Sequence, residues 1–154
     1  MKGSNTAATF YEGLVSLSNF GDRATRDHVV IADIEKTETL DSIVSIVEKI
    51  RPKSILVVAS EVIEHLKSPD QTWALIEHLE GMAVEGRGRS YVTIPIGSSI
   101  PSHHSEFLTA DTARQYLQRH MRIENERLLL PPPELARPYR LGCICATGWT
   151  STQR

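Results

Sequence analysis

The chain has 154 residues, near the commonest size for one domain, and folding at this length takes roughly 68–70% of the unfolded surface out of water. One sizeable core is expected, and two are not. Its 17 basic and 19 acidic residues, a formal net charge of -2, are scattered along the sequence, which excludes a whole-molecule field drawing it to nucleic acid or an anionic membrane.

Residues 1–27 are polar and weakly patterned around one apolar cluster, "FYEGLVSLSNF", and are expected to form an N-terminal arm or short helix ahead of an α/β domain over 28–154. In "HVVIADIEK" the β-branched run Val29 to Ile31 reads as a buried strand ending at Ala32 and Asp33. "TETLDSIVSIVEKI" places Leu40, Ile43, Val44, Val47 and Ile50 on one helical face, and Pro52 follows it. "SILVVAS" is an uninterrupted apolar run, the pattern of a strand covered on both sides, and "HVVIADIEK" is expected beside it in the sheet. "SPDQTWALIEHLEGMA" has Ser68 placed to cap a helix, Pro69 at its first position, and Trp73, Ile76, Leu79 and Met82 along one stripe.

"RSYVTIP" is the next strand, and "LTADTARQYLQRHM" is a helix capped by Thr109 with Ala113, Tyr116, Leu117 and His120 in register. "RIENERLLL", closed by Pro131 to Pro133, and "YRLGCICATGW" complete five strands. Alternating strands and helices predict a Rossmann-like three-layer sandwich with a mainly parallel sheet of about five strands. The last two strands have no helix between them, so one is expected to run antiparallel. Ligands of such sheets bind at the carboxyl ends of strands, where Asp33, Glu61 and Pro95 to Gly97 fall.

Glu61, Glu64 and His65 are spaced i, i+3, i+4, so a helical turn beginning at Glu61 would project all three from one face. Two carboxylates and an imidazole suit Mg, Mn, Fe or Zn as a divalent ion, and "SHHSE" offers His103 or His104 as a further ligand. Acidic residues at a helix start also interact favourably with the helix dipole without any metal. His78 and His120 fall on faces that carry apolar residues and read as structural. No G-x-S-x-G turn accompanies Ser60 or Ser105, so a serine hydrolase is unsupported. Cys143 and Cys145, one residue apart, are poorly placed for a mutual disulfide and read as buried free thiols in a reducing compartment. No apolar run is long enough to span a membrane, and "MKGSNTAATFYEGL" has no signal-peptide core, so a cytoplasmic protein without a membrane partner is expected.

From residue 55 to about residue 117 the order of features resembles the C-terminal half of a class I S-adenosylmethionine-dependent methyltransferase. "ILVVASEVIEHLKSP" is similar to that family's fourth strand and the turn after it, "EGRGRSYVTIP" to its fifth strand, and "SHHSEFLTADTARQYL" to the histidine-bearing segment before the next helix. The "EVIEHL" string is shared by ubiquinone-biosynthesis O-methyltransferases and small-RNA 3′-terminal 2′-O-methyltransferases. Carried over residue by residue from the RNA enzymes, the divalent-metal ligands are Glu61, Glu64, His65 and His104.

The resemblance implies S-adenosylmethionine as cofactor, contacted by Asp33, Ser60 and Glu61, with methyl transfer to a small-molecule or ribose hydroxyl and His103 as the proton acceptor. The family's glycine-rich cofactor turn has no counterpart, since no G-x-G occurs before residue 86. Two readings follow. One is an active methyltransferase. The other is a shortened methyltransferase-like domain over 28–154 that serves as a non-catalytic binding or scaffold subunit, as a homo-oligomer or with a completing protein partner.

Overall fold

A computed structural model of the protein describes residues 13–17, 28–32, 34, 36–98, 100–138 and 141–150. In chain order the elements are strand β1 (Gly13–Leu17), strand β2 (His28–Ala32), helix α1 (Thr37–Ile50), strand β3 (Ser54–Ser60), helix α2 (Pro69–Gly81), strand β4 (Arg87–Ile96), helix α3 (Ala110–His120), strand β5 (Met121–Leu129) and strand β6 (Gly142–Thr150). Short 3-10 turns at Ile63–His65 and Pro133–Leu135 punctuate the connections.

The helices form where apolar spacing marks them. On α1, Ile43 and Val47 are buried, and Arg51 ends the helix in a left-handed conformation with its N–H on the carbonyl of Val47. Pro69 opens α2 at its first position, and Trp73, Ile76 and Leu79 go into the core. Thr109 caps α3 in a reciprocal box with Thr112, and Ala113 and Leu117 are fully buried. All three expectations hold to within a residue or two.

The sheet departs from expectation. β3, β4, β6 and β5 lie in that order in one four-stranded mixed sheet, β3 parallel to β4 and β6 antiparallel to both of its neighbours. The reversed strand near the C-terminus is as anticipated, because a helix-free connection cannot return a strand in parallel. The fifth expected strand is not in this sheet. β2 pairs antiparallel with β1, Gly13 opposite Ala32 and Leu17 opposite His28, so the hairpin takes strand residues from both sides of the anticipated boundary at residue 27. Antiparallel pairing through a short connection closes a smaller loop than parallel pairing with β3 across α1.

The layering departs as well. Residues from α2 and α3 pack into one cluster with Ala59, Val92, Ile94, Ile144 and Ala146, while Ile43 and Val47 of α1 and Leu79 of α2 pack with Ile55 and Val57. Side chains alternate along a strand, so all these sheet residues share one face and the described helices cover only that face. Leu56 and Val58 point the other way and remain 62% and 60% exposed. Among the described residues all three helices lie on one face of the sheet, and "SILVVAS" is an edge strand whose other face is exposed at Leu56 and Val58.

Two buried contacts tie α2 to the sheet. A Cβ at Gly88 would come within 2.2 Å of the Glu80 carbonyl oxygen, so the helix can approach β4 only over a glycine. Glu80, fully buried, accepts hydrogen bonds from the hydroxyl of Ser90 and from both the N–H and the hydroxyl of Thr150. Trp73 of α2 donates its indole N–H to the Tyr116 hydroxyl at 3.0 Å and stacks on His120 with ring centroids 4.9 Å apart. That contact gives His120 the structural role expected of it.

Candidate metal centre

β3 ends at Ser60 against β4, where Ser60 lies opposite Thr93 and the two hydroxyls are 2.9 Å apart. The chain then turns sharply. Glu61 adopts the left-handed backbone conformation, φ 52°, with its N–H on both the carbonyl and the hydroxyl oxygen of Thr93 at 3.2 and 3.0 Å. A non-glycine residue in this region costs roughly 1–2 kcal/mol, and such strain gathers at sites where surrounding structure imposes it. The expected helical turn from Glu61 is replaced by this turn and the 3-10 segment Ile63–His65.

The 3-10 segment buries Glu64, which is 1% exposed, and leaves His65 half-buried. Across from it, the loop after β4 is held by main-chain bonds: the amides of His104 and Ser105 both donate to the carbonyl of Glu64, at 2.7 and 3.1 Å. That clamp sets His103 against His65, ring centroids 4.6 Å apart and nearly perpendicular. One potential ligand atom from each of Glu64, His65 and His103 lies within 4.8 Å of the others.

The hydrogen bonds choose the ligand atoms. Nδ1 of His65 is 3.1 Å from the carbonyl of Ser102, which can only accept, so this nitrogen carries the proton. Nε2, the other ring nitrogen, lies 3.7 Å from Oε1 of Glu64. A histidine anchored through one ring nitrogen with the other directed at a carboxylate is a common form of metal ligand. Burial lowers the pKa of His103, the neighbouring His65 lowers it further, and Glu61 and Glu106 act the opposite way. The histidine is therefore held in its neutral, ligating form near neutral pH.

The residues singled out in the sequence separate here. Glu64, His65 and His103 converge. His104 contributes its backbone amide to the clamp, but its side chain is exposed and is not in the converging group. Glu61 stands beside the group, near enough to influence His103. Ser60 is an exposed strand-end residue whose hydroxyl meets Thr93. Asp33 lies outside the described residues. Sequence reasoning did not find Thr93 or Ser102, for which no local signal exists, because strand register and loop docking bring them in.

Cys143 and Cys145 are free thiols on the sheet face opposite the helices. Burial, followed by the neighbouring Cys145, pushes the Cys143 thiol up to about 12, too high for a thiolate nucleophile or ligand at neutral pH. Among the described residues no helix is long and apolar enough to cross a membrane.

The fold and the site together define an α/β domain with a four-stranded mixed sheet and a candidate divalent-metal centre at the carboxyl ends of two parallel strands. Comparison with family models, curated proteins and solved structures gives no match for the chain.

Proposed function

We propose that this chain is a methyltransferase-like protein in which Glu64, His65 and His103, with Glu61 beside them, hold a divalent ion that serves O-methyl transfer to a hydroxyl. The observation carrying this reading is the convergence of a buried carboxylate and two imidazoles within 4.8 Å, one imidazole anchored through Nδ1 to the Ser102 carbonyl. The donor set fits the ion: mixed nitrogen and oxygen ligands suit Zn²⁺, Fe²⁺ or Mn²⁺ better than Mg²⁺. When bound, such an ion supplies Lewis acidity that lowers the pKa of a neighbouring hydroxyl. The chain's own part is to hold the ligand atoms in register through the Glu64 carbonyl clamp, and to keep His103 neutral at the group's edge.

The described residues fit S-adenosylmethionine less well. No glycine-rich turn lies next to β3, since β2 pairs with β1, and Ser60 and Glu61 alone do not make a cradle. A second reading, a non-catalytic subunit working in an assembly, is favoured by the exposed Leu56 and Val58 on the edge strand. A cytoplasmic setting agrees with either reading.

Isothermal titration calorimetry separates them. Mn²⁺ or Zn²⁺ is expected to bind the native chain with micromolar or better affinity, roughly -8 kcal/mol, and Glu64→Ala and His65→Ala are expected to abolish the heat while circular dichroism stays native. Unchanged binding in either folded variant refutes the metal centre. Metal binding without heat from S-adenosylmethionine supports the subunit reading.

A further inference from the structure

We draw no further inference here: the strongest candidate, the sheet face opposite the helices where the guanidinium groups of Arg89 and Arg122 lie over the Trp149 ring, has these two cations already engaged by that ring and, for Arg89, by Glu124, and nothing in the structure shows what covers it.

Discussion

Thr150, the last residue of β6, donates both its N–H and its hydroxyl to Oε2 of Glu80 on α2, at 2.8 and 2.7 Å, in a fully buried setting. With the Ser90 hydroxyl on Oε1, a single carboxylate joins a helix to two strands of the sheet. Such a group contributes mainly through the penalty for removing it, because the donors would stay buried without an acceptor. Glu80→Ala is expected to lower unfolding stability by about 3 kcal/mol or more, and Glu80→Gln by roughly half as much, since an amide oxygen can still accept from Thr150. Urea denaturation followed by tryptophan fluorescence measures both. Equal losses in the two variants would show that packing, not hydrogen bonding, governs this position.

The left-handed backbone of Glu61 offers a test in which side-chain contacts cancel. Glu61→Gly and Glu61→Ala both delete the carboxylate, and they differ only in whether a Cβ must occupy a conformation with φ near 52°. Glycine accepts that conformation without steric cost, whereas alanine pays roughly 1–2 kcal/mol, offset in part by glycine's greater unfolded-state entropy. The glycine variant is expected to be about 1 kcal/mol more stable by chemical denaturation. An alanine variant as stable as the glycine one would mean that Thr93 does not hold the turn in this form.

Stability should fall on the acid side through His120. Burial against Trp73 lowers its pKa below the ordinary 6.5, Asp70 acting in the opposite direction and Arg119 in the same one. The unfolded chain therefore binds more protons than the folded one once the pH drops below 6.5. The effect is absent above that value, grows as pH falls, and levels off below the folded-state pKa. His103, lowered in the same direction, adds to it. His120→Phe keeps an aromatic ring on Trp73 and removes the titration, so the loss of stability between about pH 7 and pH 5 should shrink in that variant. An identical pH slope in the native chain and the variant would contradict this.

Glu80 also shows how far a sequence can be read. It lies four residues after Ile76 and seven after Trp73, in line with the stripe that goes into the core, yet the stripe read from apolar residues ran Trp73, Ile76, Leu79 and Met82 and passed over this carboxylate. Its partners have no local signal at all, because Ser90 and Thr150 reach it only after two strands have taken their places. The same division runs through the candidate metal centre. "EVIEHL" at the end of an apolar run announced a charged cluster at a strand end, and Glu64 and His65 are there. The converging third member is His103, while the side chain of His104 is exposed, a result of how the loop docks on the Glu64 carbonyl.

The sequence by itself determined the helices and their covered faces and one strand direction: the apolar stripes of α1 and α2, the cap at Thr109 that starts α3, and the reversed strand near the C-terminus. These depend on residues a few positions apart, whose spacing acts directly on local geometry. Only the tertiary structure decided that β2 pairs with β1, that β3 is an edge with one face bare, and that Glu61 turns left-handed against Thr93. Strand order and loop docking are settled by hydrogen bonds and burial between residues tens of positions apart, where local spacing carries no information.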